Sequence, residues 1–130
     1  MHTCVHVPIG RESDAAEASR RARQLAHAAG FDKLSCYYIA TAASELAFNV
    51  WMHSGGGTFE ARLLASRPGI EILASDTGPG IADIELALTE GFSTAGSLGC
   101  GLSGTQRIMD ELTIDSAVAQ GCRVRAYKWL

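Results

Sequence analysis

At 130 residues, with 47% hydrophobic and 19% charged side chains, the chain has globular composition and not that of a disordered tail. Its length suits one unit spanning residues 1–130, able to bury enough surface to fold without disulfides or a structural metal. A net charge of −3, with scattered arginines, argues against broad capture of nucleic acid or an anionic membrane.

In chain order, residues 2–9 alternate and predict a strand on which His2, Cys4 and His6 share one face. No fourth metal ligand accompanies those three. Ser13 or Asp14 is placed to cap an Ala- and Arg-rich helix that stops at Gly30. Its run Arg20, Arg21, Arg23 reads as a solvated face, with docking of a partner as the alternative. A second helix is predicted over 32–53, where Leu34, Tyr38, Ala42, Leu46 and Val50 form a stripe against a sheet. His27 and His53 lie on these helices and read as surface or packing residues.

Strand-like runs at 58–66 and 70–75 flank Arg67-Pro68-Gly69, a hairpin signal. The turn Asp76-Thr77-Gly78-Pro79-Gly80 follows, then a short helix over 82–90. A Gly-, Ser- and Thr-rich stretch from Gly91 to Gly104 leads into a helix ending near Glu111, and 112–118 with 122–129 close the chain as a hairpin around Gln120-Gly121. The elements predict an α+β sandwich with one layer of strands and one of helices. Cys4, Cys36, Cys100 and Cys122 lack metal or redox spacing and read as reduced thiols. No signal-peptide pattern or membrane-length apolar run occurs, so a cytoplasmic location is expected.

Three features carry chemistry. Glu45 and Asn49, four apart on the long helix, emerge on one face, where a carboxylate can accept a proton and an amide oxygen can ligate Mg²⁺. Taken alone, such a pair is ordinary helix surface. Asp76-x-Gly78-x-Gly80 after a strand offers an acceptor for an exocyclic amine and a backbone that a flat ligand can approach, or else a plain tight turn. The run Gly96-Ser-Leu-Gly99-Cys-Gly101-Leu-Ser-Gly104 entering a helix offers backbone N–H groups to phosphate, though it lacks the P-loop signature.

In this order the three resemble the N, G1 and G2 boxes of the GHKL superfamily, and within it the anti-sigma-factor serine/threonine kinases, most closely the RsbT-type switch kinases of stressosome pathways. The resemblance spans nearly the whole chain through Ser44-Glu-Leu-Ala, Asp76-Thr-Gly-Pro-Gly-Ile, Glu90-Gly-Phe-Ser-Thr, Leu98-Gly-Cys-Gly-Leu, Arg107-Ile-Met-Asp-Glu and Lys128-Trp-Leu. It implies a Bergerat (GHKL/HATPase) fold, with a mixed, mostly antiparallel sheet covered by helices on one face. It also implies a kinase that takes ATP and Mg²⁺ and phosphorylates STAS-domain antagonist or scaffold proteins. On release the kinase would activate a phosphatase or cyclase; nucleic acid and membrane are not expected partners.

The same resemblance makes Glu45 the general base, Asn49 the Mg²⁺ ligand and Asp76 the acceptor for adenine. Gly78, Gly80, Ile81, Ser93, Thr94, Gly99, Cys100, Gly101, Leu102 and Cys122 would line the nucleotide, with a lid over Gly91–Gly104. Three positions depart from the pattern. Phe48 stands where these kinases carry Arg, Cys100 where an aliphatic residue or Ala is usual, and Cys122 where a Thr hydroxyl assists the adenine site. A thiol is a weak donor and acceptor, which lowers the expected nucleotide affinity. Two alternatives stay open: a nucleotide-binding module that sequesters a protein with little or no kinase activity, and a detached histidine-kinase catalytic domain.

Overall fold

The structure, a computed structural model, describes residues 3–76, 98–117 and 121–130. Strand β1 (Cys4–Ile9) is followed by helices α1 (Asp14–Ala29) and α2 (Lys33–Ser54), the hairpin β2 (Gly57–Leu64) and β3 (Gly69–Asp76), helix α3 (Leu98–Ile108), and strands β4 (Glu111–Ala117) and β5 (Gly121–Trp129). The five strands form a sheet in the order β1-β2-β3-β5-β4. All four pairings are antiparallel, so among the described residues the sheet has no parallel component.

Alternation along each strand decides which face is covered. Val5, Val7 and Ile9 are buried while Cys4, His6 and Pro8 are exposed. The register aligns Val5, Ala61, Ile72 and Ala126 in one row and Val7, Phe59, Ala74 and Val124 in the next, all of them buried. Helices α1 and α2 pack on each other and on this face. Burying a side chain such as Phe59 or Ile72 contributes roughly 1.5–3 kcal/mol. The opposite face carries Arg62, Glu71 and Tyr127 in one row. Arg62 Nε donates to Glu71 Oε1 at 2.7 Å. The Tyr127 hydroxyl also donates to Glu71, and that bond is the first cause of its raised pKa.

Helix α1 turns Ala15, Ala18, Ala22, Leu25 and Ala26 inward at three- and four-residue spacing. Ser13 occupies the N-cap position but makes no side-chain cap bond there. Asp14 Oδ2 instead accepts from the N–H groups of Gly10 (2.9 Å) and Arg11 (3.0 Å), tying down the turn before the helix. The Gly10 N–H is the main reason the Asp14 carboxyl sits below its usual range. Gly30, in the left-handed region at φ 98°, ends the helix as expected.

Helix α2 is capped by Asp32, whose Oδ1 accepts from Ser35 N at 2.7 Å. The expected stripe holds at Ala42, Leu46 and Val50 but fails at its start, where Leu34 is 59% exposed and Tyr38 half-buried. A strict four-residue spacing drifts about 40° around a helix per step, so it leaves the core over the four steps from Leu34 to Val50. The buried set follows mixed spacing through Cys36, Ile39, Ala43, Leu46 and Val50.

Helix α3 starts inside the glycine-rich run, so 98–104 is helical and not part of a loop. It ends at Ile108, and Glu111, expected near its end, opens β4 instead. Strand β5 decides this: Lys128 Nζ donates to the Ile108 carbonyl (2.7 Å), Asp110 N to the Tyr127 carbonyl (2.8 Å), and Trp129 N to Asp110 Oδ2 (2.7 Å). Those bonds draw the chain out of the helix and into the sheet. The helix expected at 82–90 and the lid residues before Leu98 lie outside the described residues, as does His2.

Candidate nucleotide site

Glu45, Asn49 and His53 follow one another at four-residue spacing on α2, each about 6 Å further along the axis. Neighbours Leu46, Ala47 and Val50 are in the core, which holds this row at the edge of the packed interior. Glu45 is half-buried, and Asn49 is only 9% exposed. Asn49 Nδ2 and His53 Nε2 are both buried with no hydrogen-bond partner among the described residues. An unpartnered buried polar group costs about 1–3 kcal/mol, so two on successive turns mark a place that a polar ligand would complete. The Asn49 amide turns about its last bond to present either oxygen or NH₂, which suits it to a cation or to phosphate.

His53 reads from the sequence as a surface or packing residue, and the structure leaves it partly buried on α2. It continues the Glu45–Asn49 spacing by one more turn. Phe48, at the position of an expected Arg, packs against the core and lies 5.9 Å from the Trp51 ring.

Asp76 is the last residue of β3 and is half-buried. Its register partners are Gly57 on β2 and Cys122 on β5. The carboxylate expected at adenine and the cysteine that replaces the expected Thr are therefore direct cross-strand neighbours. Gly57 sets how closely α2 approaches this strand end. A Cβ there would overlap the Ser75 carbonyl oxygen, and would stand 2.8 Å from Val50 Cγ1 and 3.1 Å from Asp76 Cα. With no side chain at Gly57, the turn of α2 bearing Asn49 and Val50 closes over the end of β3.

Helix α3, which packs on α2, begins at Leu98 and carries Gly99, Cys100 and Gly101 in its first turn. The first four N–H groups of a helix have no acceptor within it, and the helix dipole favours anions there. Leu102 is 1% exposed and belongs to the core cluster. Gly78, Gly80, Ile81, Ser93 and Thr94 lie outside the described residues. The structure thus brings Asn49, Asp76 and Cys122 around one end of the sheet, with Glu45 one turn back along α2.

Residues 10–128 match the model of the histidine kinase-like ATPase domain. The chain belongs to this family. A histidine kinase-like ATPase domain is an ATP-binding unit, and the two orphaned polar atoms on α2 are in keeping with that. The chain is 40% identical over 126 residues to the serine/threonine-protein kinase RsbT of Bacillus subtilis strain 168, covering 95% of each protein. It is 34% identical over 100 residues to the anti-sigma F factor of Caldanaerobacter subterraneus subsp. tengcongensis, covering 71% of this chain and 68% of that one. A chain of the SiaB–SiaC complex from Pseudomonas aeruginosa superposes with a TM-score of 0.61 at 12% identity, over 98% of this chain and 89% of that one, which supports the fold. No described helix of this ATPase domain is long and apolar enough to cross a membrane.

Proposed function

We propose that the chain is an ATP-dependent protein serine/threonine kinase of a partner-switching pathway. Its substrate is a STAS-domain antagonist, and its release from that partner activates a downstream phosphatase or cyclase. The observation that carries this reading is the row on α2, where a half-buried Glu45 stands one turn from Asn49, whose Nδ2 is buried without a partner among the described residues. Likeness over 95% of the chain to a serine/threonine-protein kinase supports it.

In this reading Asp76 accepts a hydrogen bond from the adenine amine, with Cys122 beside it and Gly78, Gly80 and Ile81 completing the pocket. The first-turn N–H groups of α3, from Gly99 to Gly101, face the phosphates, and Ser93 and Thr94 belong to the lid. Asn49 would hold a magnesium ion together with phosphate and water oxygens, because an amide oxygen is an acceptable ligand for that cation. When bound, that ion neutralises phosphate charge. Glu45 takes the proton from the serine hydroxyl as its oxygen bonds to the γ-phosphorus and the bond from that phosphorus to the β–γ bridging oxygen breaks, leaving phosphoserine and ADP.

Incubation with γ-labelled ATP and the STAS-domain proteins encoded nearby tests this. The expected product is acid-stable phosphoserine or phosphothreonine on one of them. ATP binding without transfer would favour the sequestration module, a reading that Phe48 and Cys122 support. Cys122→Thr restores a hydroxyl beside Asp76, and one hydrogen bond of about 0.5–1.5 kcal/mol corresponds to roughly 2–10-fold. Calorimetric titration of ATP should show affinity rising by about that factor; an unchanged affinity would remove Cys122 from the adenine site.

A further inference from the structure

We propose that the groove between α1 and the start of α2 docks an acidic segment of a partner protein. The groove has a volume of about 620 Å³ and is lined by Arg20, Arg23, Gln24, His27, Phe31, Lys33 and Cys36. Arg20, Arg23, Gln24 and His27 fall at i, i+3, i+4 and i+7, so they share the face of α1 opposite its alanine-rich buried side. Lys33, in the first turn of α2, adds a cation from the other wall, while the buried Phe31 and Cys36 give an apolar floor.

The lining contains no acidic side chain, although the whole chain carries a net charge of −3. Arg20 is paired with Glu17. Arg23 and Lys33 have no salt-bridge partner among the described residues. Two arginines of the run that stood out in the sequence, Arg20 and Arg23, thus line one concave site with Lys33, and of these Arg23 and Lys33 are left without an ion-pair partner among the described residues. Beside Lys33, Leu34 and Tyr37 are 59% and 63% exposed, two of the four large hydrophobic residues left exposed among the described residues. Arginine with an exposed aromatic is the composition of protein interfaces, where charge sets encounter and apolar anchors hold the complex. A concave site of few cations on an acidic protein fits a peptide segment carrying carboxylates and an apolar residue better than a flat anionic membrane. Cys36 and Asn49 are separated by about 20 Å along α2, so docking here and chemistry at the nucleotide site can fail independently.

The test titrates the full-length chain with a fluorescent 12-residue peptide of alternating Glu and Leu, followed by anisotropy and by amide NMR shifts. Saturable binding that weakens with salt, with shifts confined to residues 20–37, is expected. Arg23→Glu with Lys33→Glu should weaken it about tenfold or more, and Arg23→Gln with Lys33→Gln by a smaller factor, all with unchanged circular dichroism and ATP affinity. No saturable binding, equal binding to the charge-reversed variant, shifts centred on Asn49, or tighter association with anionic phosphatidylserine vesicles than with the peptide would each overturn the proposal.

Discussion

Replacing Glu45 with Ala is expected to lower phosphoryl transfer to the protein substrate by about 10²–10⁴-fold, the range a positioned general base supplies. ATP affinity should stay within about twofold, because the groups assigned to the nucleotide sit elsewhere: Asn49 one turn on, Asp76 at the strand end, and the first turn of α3. Glu45 is half-buried and not part of the hydrophobic core, and Ala is a good helix former, so the helix is expected to stay intact. Single-turnover transfer with labelled ATP, run beside a binding titration, separates the two effects. Transfer at the wild-type rate would rule out Glu45 as base, and a matching loss of binding would make it a nucleotide ligand instead. The loss should shrink toward high pH, where solvent hydroxide competes as acceptor.

The second large effect is on folding. Gly57→Ala should destabilise the protein by roughly 3 kcal/mol, within the range of overpacking at a site that cannot relax. The added methyl would overlap the Ser75 carbonyl oxygen on the paired strand, which cannot shift without breaking the β2–β3 ladder. It would also push on Val50, and so lift the turn of α2 that carries Asn49 away from Asp76. Urea unfolding should therefore show a lower midpoint, and ATP affinity should fall in the same variant at temperatures where it remains folded. Gly10→Ala is the control: a methyl there meets nothing within 4 Å and should leave both unchanged.

Strand and helix positions were legible because each is written in a local period. The two-residue alternation of Val5, Val7 and Ile9 marks a half-covered strand, and Gly30 stops α1 by adopting a conformation other residues avoid. The candidate site was legible for a similar reason. Glu45 and Asn49 share a helix face by spacing alone, and Asp76 follows a strand run directly. The errors arose where a neighbour distant in sequence decides. Leu34 fits the apolar stripe of α2, but it is exposed because the drift of that stripe carries it away from the sheet. Glu111 continues a helical pattern, yet β5 captures Asp110 and turns the chain into a strand.

By itself, then, the amino-acid order determined the elements, the α+β class, and the three polar and glycine-rich segments that a nucleotide site requires. Only the tertiary structure decided that β5 inserts between β3 and β4, which sets Cys122 opposite Asp76. It alone also showed that Asn49 Nδ2 and His53 Nε2 are buried without partners among the described residues, and that Arg23 and Lys33 share one groove. Periodicity records which side of a segment is buried, because each residue carries its own hydrophobicity. Which segments meet depends on how the whole core packs, and no local stretch encodes that.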